Sequence, residues 1–198
     1  MSEELKILFA GAMGAGKTTA IRAISEIPPI STEASNSDRA ECDKEETTVA
    51  MDYGEITLAT GEKLRLYGAP GQPRFQFMWP ILAAGALGAV VLIDNSRADP
   101  LGDLELYLNA FRPLADAGAA VVGIGRMDSF PRPTLEAYME RLAKLDVVMP
   151  VIPADVRRRD DVLQILEVLL QQIEAMWAHD ETVSGDANPG HRSPEAIS

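Results

Sequence analysis

Eight consecutive residues, Gly11-Ala12-Met13-Gly14-Ala15-Gly16-Lys17-Thr18, carry the most specific chemistry in the chain. They match the spacing G-x-x-x-x-G-K-[ST] and lie between an apolar run, Leu5 to Ala10, and a helix-compatible run from Lys17 to Ile27. Strand, loop and helix in that order are the setting in which the pattern holds a polyphosphate. Glycines let the backbone wrap an anion and turn its N–H groups inward, while the helix N-terminus adds partial positive charge. Lys17 would then neutralise the β and γ phosphates, and the Thr18 hydroxyl is a hard oxygen ligand for Mg²⁺. The candidate nucleotide-binding residues here are Gly11, Met13, Gly14, Ala15, Gly16, Lys17, Thr18 and Thr19.

Three further segments have the types and order that a bound nucleotide needs. Thr47-Thr48-Val49-Ala50-Met51-Asp52-Tyr53-Gly54 places a threonine just before a strand. Such a threonine can close over Mg²⁺ with its hydroxyl and bond the γ phosphate with its N–H, or it can be a plain strand-edge residue. Leu66-Tyr67-Gly68-Ala69-Pro70-Gly71-Gln72 puts a glycine and a glutamine after a second strand, and Gly71 can offer its N–H with no side chain in the way. Gly125-Arg126-Met127-Asp128 follows an apolar strand, and its aspartate can accept two N–H groups from a guanine edge, a pair that adenine lacks.

On these motifs the chain resembles the small Ras-like GTPases, in particular the bacterial MglA-type group that includes the conservon GTPases, over residues 5 to 177. The resemblance implies a P-loop small G domain that binds GTP or GDP with Mg²⁺. It assigns Thr48 to the first switch, as a ligand to metal and nucleotide, and makes Lys17, Thr48 and Gln72 the catalytic group, with Gln72 orienting the attacking water. Arg126 would stack over the base where relatives have lysine, and Asp155-Val156-Arg157 would stand where relatives bring a backbone N–H to guanine O6. Two departures stand out. Gly68 replaces an aspartate that holds Mg²⁺ through water in most relatives, a change worth about 10–100-fold in metal affinity, and Gly125 lacks the side chain usual at the first position of its motif. Ala69-Pro70-Gly71 points to the MglA-type group, whose members also depart at the aspartate. Met13 is bulkier than the glycine usual at its position, which predicts slow hydrolysis, and Arg39 is a candidate internal arginine or a solvated loop charge.

The elements that must position these residues follow from periodicity. Strands at Val49 to Ala59 and Lys63 to Tyr67 flank Thr60-Gly61-Glu62 as a hairpin, expected to be the only antiparallel neighbours in the sheet. Apolar strands at Ala89 to Ile93, Ala119 to Ile124 and Val147 to Ile152 alternate with helices at Leu101 to Arg112, Thr134 to Lys144 and Asp161 to Trp177. The expectation is an α/β fold, a six-stranded mostly parallel sheet with one antiparallel hairpin strand and helices on both faces. Ile30 to Glu46 is polar and without period, and reads as a long mobile loop. Residues 1–178 would form the G domain and 179–198 a disordered tail.

Composition narrows the partners. Eighteen basic against thirty acidic residues give a net charge of −12, which argues against nucleic acid and anionic lipid. One cysteine, Cys42, permits no internal bridge, which fits a cytoplasmic protein. The opening residues lack signal-peptide character, and neither acceptor for lipidation is present, so any membrane contact would come through a partner. Phe75, Phe77, Met78 and Trp79 crowd the second switch, either as a partner surface or as core; the resemblance implies a roadblock-fold regulator as that partner. The expected function is a switch that hydrolyses GTP slowly and signals through its switch loops. A pseudo-GTPase acting as an interaction module and a P-loop kinase of small molecules are the alternatives.

Overall fold

The computed structural model describes residues 5–28, 30–34 and 49–185. In chain order the elements are β1 (Leu5–Ala10), α1 (Lys17–Ile24), β2 (Ile30–Ala34), β3 (Val49–Thr57), β4 (Lys63–Gly68), a 3₁₀ helix (Pro73–Met78), α2 (Trp79–Ala83), β5 (Gly88–Asp94), α3 (Pro100–Ala110), α4 (Arg112–Asp116), β6 (Ala120–Gly125), α5 (Leu135–Lys144), β7 (Val151–Pro153) and α6 (Arg159–Gly185).

The sheet runs β2-β3-β4-β1-β5-β6-β7. Parallel pairs join β4 to β1, β1 to β5, β5 to β6 and β6 to β7, so β3 is the single reversed strand. That is the α/β architecture expected, with one addition. Part of the segment read as a loop forms β2, which pairs antiparallel with β3 from Ile30↔Tyr53 to Ala34↔Val49. The hairpin strands are therefore not the only antiparallel neighbours. An edge strand takes its hydrogen bonds from one neighbour and needs no apolar alternation, so periodicity does not reveal it.

Alternate residues of the central strands feed two cores. Leu8 and Ala10 of β1, with Val91 and Ile93 of β5, pack under α3, α4 and α5 through Leu104, Phe111 and Tyr138. Ile7 and Phe9, with Val90 and Leu92, pack under α1 and α6 through Ile21, Ile165, Leu169 and Ile173. Near-continuous apolar strands are what a sheet covered on both faces requires.

Two boundaries move. Val147 begins no strand: Asp146 takes a left-handed φ of 53° and the Val147 N–H bonds Leu142 O, closing the end of α5. Pro150 and Pro153 then leave only a three-residue β7. The last helix starts two residues early, with Asp160 and Asp161 in its first turn, and continues to Gly185, beyond the expected end at Trp177. Residues 186–198 lie outside those described.

The aromatic run after Gln72 divides. Phe75 and Trp79 are core, 6% and 2% exposed, whereas Phe77 and Ile81 stand 65% and 71% exposed. Trp79 packs on Tyr107 at 4.9 Å and Phe111 at 6.0 Å between ring centroids, and its indole N–H donates to Pro70 O at 2.9 Å. Replacing Trp79 by alanine should therefore cost ~3–5 kcal/mol in urea denaturation. Phe77→Ala and Ile81→Ala should each stay within ~0.5 kcal/mol.

Candidate nucleotide-binding site

The phosphate loop leaves β1 and re-enters the fold at α1. Gly14 at φ 84° and Gly16 at φ 94° hold left-handed conformations that a side chain would strain, and the Ala15 N–H closes the turn on Ala12 O at 3.1 Å. Lys17 turns back under the loop. Its ammonium, in a residue only 9% exposed, donates to Gly11 O at 2.7 Å and Ala12 O at 2.9 Å. Burial lowers its pKa to about 8, against an opposing pull from Asp52. Beside it the Thr18 hydroxyl donates to Asp52 Oδ2 at 2.5 Å.

Gly71 comes up against the same loop from the end of β4. A Cβ there would lie 2.6 Å from Gly11 O and 2.7 Å from Lys17 Nζ, so no larger residue fits without displacing the loop. Its position is held from behind, where the Tyr107 hydroxyl donates to Gly71 O at 3.3 Å. Gln72 lies over the loop with Nε2 3.9 Å from Met13 Sδ. Met13 is itself 70% exposed, so the glutamine rests on a side chain rather than facing open space.

A cleft of about 590 Å³ opens on the other side of the loop, in the size range of ligand sites. Its wall includes Gly14, Ala15, Gly16 and Thr19 of the loop and helix α1 together with Arg126, Asp128, Asp155, Val156 and Arg157. The expected base-recognition segments and the phosphate loop thus meet in one cavity. Gly11, Met13, Lys17, Thr18, Gly71 and Gln72 cluster instead on the β3–β4 side of the loop, as their contacts show. Thr48, Arg39 and Cys42 fall outside the described residues.

Asp128 belongs to a turn in which the N–H groups of Ser129 and Phe130 return to Arg126 O, and α5 begins only at Leu135, so this aspartate caps no helix. The turn is anchored from beneath. Asn95 Nδ2 donates to Phe130 O at 2.6 Å and Pro133 O at 3.0 Å, and Tyr138 donates its hydroxyl to Asn95 Oδ1 at 2.7 Å. Arg126, at φ 65°, pairs with Asp94 Oδ2 at 3.0 Å and donates to Ser96 Oγ at 2.9 Å. Asp155 is fixed by Arg157, whose Nε and Nη2 donate to its carboxylate and hold its pKa down at about 2. Val156 packs against the loop, for a Cβ on Gly16 would come within 2.6 Å of its Cγ2.

Sequence reasoning missed Asp94 and Asn95. Their signal was the strand end at Asp94-Asn95-Ser96, polar residues at the carboxyl edge of a parallel sheet, where ligands bind in this class of fold. The run Arg157-Arg158-Arg159 is used locally: Arg157 on Asp155, Arg158 near Asp161 at 3.5 Å, and Arg159 on the last carbonyls of α1, Ala23 O and Ile24 O. Among the described residues there is no group of three or more His, Cys, Asp or Glu that could hold a metal ion.

The family described as "conserved hypothetical ATP binding protein" matches residues 29–175. The match begins after the phosphate loop, so the two signals are independent. A stretch of 105 residues is 30% identical to an uncharacterized protein of Methanocaldococcus jannaschii, covering 52% of this chain and 60% of that protein. Another of 110 residues is 30% identical to intraflagellar transport protein 22 of Chlamydomonas reinhardtii, covering 54% of this chain and 53% of that protein. The chain thus matches little more than half the length of these curated relatives.

Lys17 generates a pH prediction. Burial favours its neutral form in the free protein, whereas a polyphosphate favours the ammonium, so binding above about pH 8 must take up a proton. Affinity for a labelled nucleoside diphosphate, measured by fluorescence titration, should be full below pH 8 and fall by up to about tenfold per unit above it. Lys17→Met should bind about 10- to 150-fold more weakly at pH 7 and lose that slope.

Proposed function

Since the chain belongs to the nucleotide-binding P-loop family described as "conserved hypothetical ATP binding protein", we propose that it is a GTP-operated switch that slowly hydrolyses GTP to GDP and phosphate. The observation that carries this reading is the shared cavity. One cleft is lined by both the phosphate loop and a tethered, exposed aspartate, Asp128. A carboxylate there accepts both N–H groups of a guanine edge, and Arg126, steered by Asp94, is placed to cover the base.

The phosphate end supplies the switch. Gly71 presents its backbone to the loop beside Lys17, where a γ phosphate would lie, and Gln72 is the group that would orient water for in-line attack. Thr18 is the described residue that would hold Mg²⁺, and its hydroxyl and the adjacent Asp52 carboxylate are the hard oxygen donors that suit this ion. When bound, Mg²⁺ neutralises the charge that develops on the phosphates. Thr48 would be the second ligand. Loss of the γ phosphate would release the segment after Gly71 and the segment before β3, and so change what a partner meets.

That partner would meet Phe77 and Ile81, the exposed apolar side chains beside Gln72, and a roadblock-fold regulator fits the MglA-type likeness carried by Ala69-Pro70-Gly71. Among the described residues no helix is long and apolar enough to cross a membrane.

A second reading takes ATP as the ligand. The family description names it, and Gly125 contributes no side chain to the base end of the cleft. Titration of labelled GDP and ADP decides between them. For a guanine switch, Asp128→Ala should weaken GDP binding about 10- to 150-fold and leave ADP binding within twofold; tighter binding of ADP to the parent protein would sink the guanine reading. In single-turnover assays the parent should hydrolyse GTP at about 10⁻⁴ to 10⁻² per second. Met13→Gly should speed this by freeing Gln72, and Gln72→Ala should slow it.

A further inference from the structure

Among the described residues that line the cleft, Phe130 is the one aromatic side chain. It is 46% exposed, whereas the aromatic rings nearer the sheet, Tyr107, Phe111 and Tyr138, are buried in the core. An apolar ring on a convex surface needs no explanation, but this one stands in the wall of a concave site shared with the phosphate loop. A flat, π-faced group entering the cleft would remove it from water.

The backbone of Phe130 is held more firmly than an exposed turn requires. Its N–H donates to Arg126 O at 2.9 Å, and its carbonyl accepts Asn95 Nδ2 at 2.6 Å. The same amide nitrogen donates to Pro133 O at 3.0 Å, and Asn95 Oδ1 accepts the Tyr138 hydroxyl at 2.7 Å. A reversed amide would set one carbonyl oxygen against two others, so Asn95 can face only one way. Pro131 follows directly and narrows the backbone choices of Phe130 further. What freedom remains is rotation about two side-chain bonds, so ordering the ring against a ligand costs little.

We propose that Phe130 is a ligand-contacting residue whose ring lies against one face of the purine base, while Asp128, two residues earlier in the same turn, meets the base edge. The inference rests on the nucleotide-binding reading above and adds to it the residue that buries the base. A π face is common to all purines, so Phe130 supplies affinity and leaves the choice between guanine and adenine to Asp128. Arg126 is held at the strand edge by Asp94 and Ser96, and the ring and the guanidinium are the two cleft groups suited to a base face.

The test is calorimetric titration of the full chain with GDP, ADP and inorganic pyrophosphate, which has no base. Phe130→Ala should weaken each purine nucleotide that the parent binds by about 5–150-fold and leave pyrophosphate binding and the melting temperature unchanged. Phe130→Leu, which keeps apolar bulk without a π face, should fall between the two. In Phe130→Trp the added indole emission should be quenched by GDP and not by pyrophosphate, a response the parent lacks. The proposal is overturned if Phe130→Ala binds GDP as tightly as the parent, if it weakens pyrophosphate by the same factor, or if emission from Phe130→Trp ignores GDP. A parent that binds neither GDP nor ADP overturns the nucleotide reading itself, and this proposal with it.

Discussion

The Lys17 ammonium lies beneath the phosphate loop with two backbone carbonyls, Gly11 O and Ala12 O, as its acceptors. A buried cation is costly unless its donors are met, and much of the local architecture serves that requirement. Inward carbonyls demand a loop that reverses sharply, hence left-handed backbone at Gly14 and Gly16. Room for the ammonium demands a neighbour without a side chain, hence Gly71 with its missing Cβ only 2.7 Å from Nζ. The charge of Asp52 then offsets part of the desolvation. A phosphate would offer the same cation a full negative charge in place of two carbonyl dipoles.

The two ends of the site are held in different ways. At the base end, Asn95, Tyr138, Asp94 and Arg126 form interlocking bonds at the sheet edge, with Tyr138 fully buried and Asn95 2% exposed. Opening that network would strand several buried polar groups at once, which keeps the Asp128 turn in place. At the phosphate end, Gln72 touches Met13 through one long contact, and the helical stretch that follows leaves Phe77 and Ile81 in solvent. The same stretch is anchored by Phe75 and Trp79, which are core. Trp79 and Tyr107 hold the carbonyl oxygens of Pro70 and Gly71 from behind.

How much of this was legible in the sequence depends on whether a feature is local. The loop from Gly11 to Thr18, the strands of β1, β5 and β6 and the stripe along α6 all declare themselves within a dozen residues, because spacing and periodicity are properties of one segment. Asp128 was also legible, since its motif follows a strand. What stayed hidden is relational. β2 exists through the backbone of β3, and β7 shrinks because Asp146 and Val147 are drawn into the end of α5. Asn95 matters only because Phe130, Pro133 and Tyr138 come to it from 35 to 43 residues away. Asp52 was noted as a neighbour of Thr48, yet its place opposite Gly68 is a fact of register that no single segment contains.

That register bears on how such a switch would be wired. Gly71 and Gln72 lie in the connection directly after β4, which ends at Gly68, so a γ phosphate would be sensed from the end of that strand. β4 leads into Gly71, while Asp52 sits on the strand that pairs with β2 and directly continues residues 35–48. On the reading proposed above, a nucleotide that carries its terminal phosphate would be met from the end of β4, at Gly71, while its base is met from the ends of β5 and β6.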